Sequence, residues 1–167
     1  MKFPFFNILF FLGFFVFPLH AEEKSTAADD AKLYIISPLD GETVSSPVKI
    51  VFGLQGMGIA PAGIKFNNTG HHHLLIDVVE LPDINSPIPS DDNHKHFGKG
   101  QTEAVIELQP GEHTLQLMLG DHMHIPHDPV VVSKKIKINV EGKEIPSREK
   151  NEKIISHFII CVSSSCK

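Results

Sequence analysis

Apolar residues recur at every second position in short runs of this chain, and Gly, Pro, Asn and Asp gather between the runs. A period of two marks strands with one buried face. Leu33-Tyr34-Ile35-Ile36 starts a strand that the Pro38, Asp40 and Gly41 turn closes. Residues 48–54 alternate and read as a second strand. His72, Leu74, Ile76 and Val78 share one parity, which predicts a strand over 71–79. Residues 102–108 alternate with Ala104, Ile106 and Leu108 inward. His113, Leu115, Leu117 and Leu119 share a parity, and 130–140 closes the series with Ile136, Ile138 and Val140 inward. Residues 56–70, 80–100 and 120–129 read as loops. No segment before residue 141 carries a helical period. About seven short strands bounded by turns predict an all-β, immunoglobulin-like antiparallel β-sandwich, with a small β-barrel or jelly roll as the alternative.

The ends of the chain break this pattern. Lys2 precedes an apolar run from Phe3 to Leu19, then Ala21 and the acidic Glu22-Glu23. That order of charge, apolar stretch and small residue is a secretory signal peptide, with cleavage expected after Ala21. Residues 22–31 read as a flexible leader, 32–140 as the sandwich domain, and 141–167 as a charged linker and tail. The apolar piece 154–162 in that tail is too short to span a bilayer. Export predicts a periplasmic or extracellular location and no transmembrane segment after cleavage.

Composition narrows the function classes. The formal charge of −5 becomes −6 once Lys2 is lost, and no basic stripe is present, so nucleic acid is a poor partner. With no Trp and one Tyr, the core must be aliphatic with some Phe. Cys161 and Cys166 lie in the last seven residues and can close only a small terminal loop.

The histidines stand out. Nine of the eleven fall between His71 and His127. They form His71-His72-His73, His94-x-His96, His113 and His122-x-His124-x-x-His127. In extended backbone, residues i and i+2 point the same way about 7 Å apart, so His94 and His96 can reach one ion. The same parity puts His71 and His73 on one face and His72 on the other, so the triple is no tridentate clamp. His72 ends the core-facing row, and it reads equally as a ligand or as a packed, hydrogen-bonded residue. His113 reads as packing at a strand start. Neutral imidazoles suit zinc or copper. Asp91, Asp92, Asp121 and Asp128 adjoin the groups and are candidates to orient a ligating ring. Met118 and Met123 are soft donors that favour copper if they join, and otherwise pack. No strict zinc signature is present. Nucleophilic catalysis finds no Gly-x-Ser-x-Gly, and Gly98-Lys99-Gly100 precedes a strand where a phosphate loop needs a helix.

Several long blocks carry a resemblance. They are Asn68-Thr69-Gly70-His71-His72-His73-Leu74-Leu75-Ile76-Asp77; His94-Lys95-His96-Phe97-Gly98-Lys99-Gly100-Gln101-Thr102-Glu103; and Pro110-Gly111-Glu112-His113-Thr114-Leu115-Gln116-Leu117 running on to Leu119-Gly120-Asp121. Together they resemble a bacterial exported family, domain of unknown function 4399, over about residues 57–140. The resemblance implies a secreted domain and brings no activity or ligand. His71–His73, His94, His96, His113, Asp121, His124 and His127 sit on its motif positions, whereas His122 does not.

The resulting expectation is a His-rich sandwich that binds copper or zinc through His73, His94, His96, His124 and His127, with His71 and His72 next. No catalytic residue is assigned. The alternative is a metal-independent module for a glycan, a peptide or an envelope protein. A metal-dependent enzyme, with Asp91 or Asp121 as base, is the third reading. The metal reading requires His94/His96 and His124/His127 to meet near the start of the 71–79 strand.

Overall fold

A computed structural model describes residues 24–142; the signal-peptide expectation and the tail with its two cysteines lie outside the described residues. The chain runs β1 (Lys32–Ser37), β2 (Thr43–Ser45), β3 (Val48–Gln55), β4 (Gly58–Ile59), β5 (Thr69–Ile76), β6 (His94–His96), β7 (Glu103–Ile106), β8 (Gly111–Gly120) and β9 (Ile136–Glu141). The fold is all-β. One sheet has the order β1-β3-β7 and the other β2-β9-β8-β5-β4, with β6 also on β5. Leu33, Val48, Ile50 and Phe52 of the first sheet meet Leu74, Ile76, Leu115, Leu117, Leu119, Ile138 and Val140 of the second in one core. These are the alternating inward positions, as the period of two requires.

Among the described residues nine strands stand, where about seven were expected and six segments alternate. The three outside those segments are short: β2 between the first two, and β4 and β6 inside stretches read as loops. Two pairings, β2 with β9 and β4 with β5, are parallel, so the larger sheet is mixed. The last strand starts at Ile136. The 130–135 stretch before it meets β8 through a Met118–Val132 bridge, the backbone bonds of Leu119 N to Val131 O and Ser133 N to Leu117 O, and side-chain bonds of Gln116 Nε2 to Ser133 O and Leu117 N to Ser133 Oγ. Part of the expected leader is docked. Thr26 bridges Asp128, Ala27 N donates to Asp128 O, and Ala27 is buried in the core.

The central strand β5 positions the site. Its outer face, turned away from the sandwich core, is also buried. The 80–93 loop folds back over it. Ile88 packs on Leu75 and Met118 there, and Ile88 N donates to His124 O at 2.8 Å. Burying each such side chain contributes about 1.5–3 kcal/mol relative to exposure. A second small apolar cluster therefore covers the face that carries His71 and His73. Among the described residues, no helix is long and apolar enough to cross a membrane.

Candidate metal centre

Strand parity separates the triple histidine. His72 points into the sandwich core, where its ring lies 5.0 Å from Phe52 and Nδ1 donates to the Gln101 carbonyl at 3.0 Å. His71 and His73 point to the opposite face and are 0 % exposed. Register then adds a third ring. β6 runs antiparallel to β5 with His96 opposite His73, so the two side chains share a face at cross-strand distance. The fourth comes from the 121–127 loop. Asp121 follows the end of β8 and accepts the backbone N–H groups of Met123 and Ile125, and Ser25 Oγ donates to it at 2.7 Å. That turn holds His124 at a φ of 68°, a left-handed conformation that histidine adopts more readily than most residues, and brings its ring onto the other three.

The result is a quartet. Ring centroids of His71 lie 4.9 Å from His73, 5.0 Å from His96 and 4.9 Å from His124. His96 is 5.0 Å from His73 and 4.7 Å from His124, and His73 to His124 is 6.0 Å. His71 Nε2 and His73 Nε2 are 3.1 Å apart. Two nitrogens bound to one tetrahedral ion at about 2.0–2.1 Å stand about 3.3 Å apart, so this spacing is close to that of neighbouring ligands. Donor atoms of His71, His73 and His96 all fall within 4.8 Å of one another, a grouping able to hold a metal ion.

Two glycines make the packing possible. A Cβ at Gly120 would lie 2.9 Å from His73 Nε2, and one at Gly98 would lie 2.5 Å from His96 Nε2. Neither glycine is needed for a left-handed turn; each is needed so that a ring edge can rest against bare backbone.

Burial favours the neutral form of His71, His73 and His96. Burial, then the neighbouring His124 and His96 rings, push His71 down to about 4, against an opposing pull from Asp121. Burial, then His71, His96 and His124, push His73 down to about 2. His96 is lowered by burial and by His124. His71 Nδ1, His73 Nδ1 and His96 Nε2 are buried without a hydrogen-bond partner, as are His72 Nε2 and His127 Nδ1 outside the quartet. An unpaired buried polar atom costs about 1–3 kcal/mol, and each calls for an explanation. Coordination supplies one for His96 Nε2; in His71 and His73 it is the Nε2 atoms that face one another, and their Nδ1 atoms lie on the other side of each ring.

The remaining candidates lie elsewhere. His94 faces Leu75, one row beyond His96, and its Nδ1 donates to Asp91 at 2.9 Å. His127 is buried beside Gly70 and donates from Nε2 to the Thr69 carbonyl at 3.1 Å. Asp92 bonds Lys95, and Asp121 bonds its own loop and Ser25. Asp128 joins the docked leader through its backbone. Thus His96 and His124 meet at β5 while His94 and His127 turn to other partners. Met118 is buried opposite His73, whereas Met123 is 49 % exposed. His113 donates from both ring nitrogens, to Asp77 at 2.7 Å and to the Gln109 carbonyl at 2.8 Å.

All four quartet rings lie inside the segment 50–141, which matches the family model Domain of unknown function (DUF4399). The chain belongs to that family. No curated protein and no solved structure matches the chain. The DUF4399 segment begins within β3, so β1 and the docked residues 24–27 precede it.

Proposed function

We propose that this protein is an exported binding protein for a transition-metal ion, copper or zinc, and that His71, His73 and His96 are its ligands with His124 beside them. The observation that carries the reading is the convergence of three imidazoles from β5 and β6, with donor atoms within 4.8 Å of one another and no carboxylate bonded to them. Imidazole donors suit both metals. Two paired strands hold three of the donors, so little ordering remains when the ion arrives. The reading assigns binding, trafficking or buffering as the role, with no catalytic step. Calorimetric titration of the purified protein with Cu(II) and Zn(II) tests it. One ion per chain, bound more tightly than by an unrelated His-containing control, supports the reading. Binding no tighter than the control overturns it.

A second reading has its own observation. A cavity of about 470 Å³ is lined by residues that include Ser25, Asn67, Asn68, Asp121, His122 and His127, and by none of the quartet. Its mixed donors and acceptors suit a small polar ligand held without metal. Uptake of a glycan or peptide unaffected by a chelator would favour that reading.

A further inference from the structure

The quartet lacks a feature common to protein metal sites: a negative charge among the donors. Among the described residues, the donor group within 4.8 Å consists of imidazoles alone. The nearby carboxylates are committed elsewhere, Asp91 to His94, Asp92 to Lys95, and Asp121 to Ser25 and its own loop. Ligating imidazoles are neutral. A divalent ion seated here therefore receives no negative charge from its own ligands; Asp121 acts on His71 only from outside the donor group.

The surroundings make the ion's charge costly. Leu75, Ile88 and Met118 are buried on the same face of the sheet. Holding an uncompensated charge away from water costs several kcal/mol per ion even after relaxation. Three ligands from paired strands leave a fourth tetrahedral position, as in zinc sites that keep one place for water. His124, on a loop, has its ring 4.7 Å from that of His96 and lies outside the close donor group. His96 and His124 are only half-buried, so solvent reaches this side of the cluster.

We infer that a divalent metal held by His71, His73 and His96 takes a small exogenous monoanion, of the hydroxide or pseudohalide class, as its next ligand. The inference rests on the metal-binding reading above. The bond formed is between the metal and the anion's donor atom; the water or His124 nitrogen in that position leaves as a neutral molecule or ring. No electron is transferred. The anion brings the metal and its ligands to a single positive charge, which the ligating imidazoles do not do.

Azide is the probe. The Cu(II)-loaded full chain is titrated with sodium azide and followed by its near-ultraviolet charge-transfer band. The expected result is a saturable band with millimolar or tighter affinity, and proton-driven loss of azide binding is controlled by working at constant pH. His96→Asp places a carboxylate among the donors at a half-exposed position. That variant is expected to keep one Cu(II) and to bind azide at least about tenfold more weakly, equivalent to about 1.4 kcal/mol. Copper uptake with no azide band overturns the inference and leaves the metal reading standing. Equal azide affinity in His96→Asp and the parent also overturns it. Failure of the parent to take up Cu(II) overturns both.

Discussion

Two ends of one strand show histidine in opposite settings. Near the start of β5, His71 and His73 meet His96 and His124 with no carboxylate bonded to the group, and burial favours the neutral form of His71 and His73. Just past its other end, Asp77 accepts from His113, whose second nitrogen donates to the Gln109 carbonyl. Only the doubly protonated ring can donate from both nitrogens. Although burial pulls His113 down, the Asp77 and Gln109 bonds outweigh it and its affinity for protons is raised. His94 follows the second pattern, tied to Asp91 by a turn. The lesson is that a histidine's role follows from the partner of each nitrogen. Rings facing one another are free to ligate; rings facing oxygen acceptors serve as structural donors.

The largest effect that sharpens this contrast is on metal affinity. His73→Ala is expected to weaken binding at least about 100-fold, since even an outer partner of a ligand is worth 10–100-fold. His113→Ala and His94→Ala should leave it within about threefold by the same scale. Calorimetry of the three variants checks this, and equal losses in all three would erase the distinction. Next comes Gly120→Ala. Its methyl group would press on His73 Nε2, so destabilisation of about 1–3 kcal/mol in urea is expected, together with weaker metal binding. A neutral result would mean the rings have room to spare.

The pH dependence of the metal-free protein separates the two ends by sign. His71 and His73 titrate below the ordinary 6.5 when folded. Their contribution is present above pH 6.5 and is lost as pH falls toward about 4, because the unfolded chain binds the protons first. His113 titrates above 6.5 when folded, so its contribution is complete below pH 6.5 and fades as pH rises through the raised value. Urea unfolding across this window should show a shallower acid decline in His71→Phe and a loss confined to the acid side in His113→Asn. Parallel curves for the two variants would break the comparison. The smallest effect is expected from Ser25→Ala, which removes the bond to Asp121 and should cost about 0.5–1.5 kcal/mol. An unchanged melting curve would show that the leader does not brace the His124 loop.

Much of this was legible from periodicity. Alternation found the core rows of β3, β5 and β8, and parity put His72 on the face opposite His71 and His73. It did not show that the outer face of β5 is also buried, because the cover is an irregular loop whose single apolar anchor, Ile88, has no period. Nor did parity choose between His94 and His96, which point the same way. Register against His73 and the Asp91 turn made that choice. His124 over His127 was decided by a left-handed backbone held by Asp121. The Asp121 signal was present as an acid two residues ahead of the amide it caps. Residues 24–27 look like leader because their docking rests on backbone bonds, one hydroxyl and one small alanine side chain, which make no periodic pattern.

The central claim is that His71, His73 and His96 ligate one ion. X-ray absorption of the Zn(II)-loaded protein tests it most directly, with the parent beside His73→Ala. The predicted spectrum has three or four nitrogen or oxygen neighbours at about 2.0–2.1 Å with the outer-shell scattering of several imidazoles, reduced in the variant. A spectrum with no imidazole scattering, or one that His73→Ala leaves unchanged, would contradict the account.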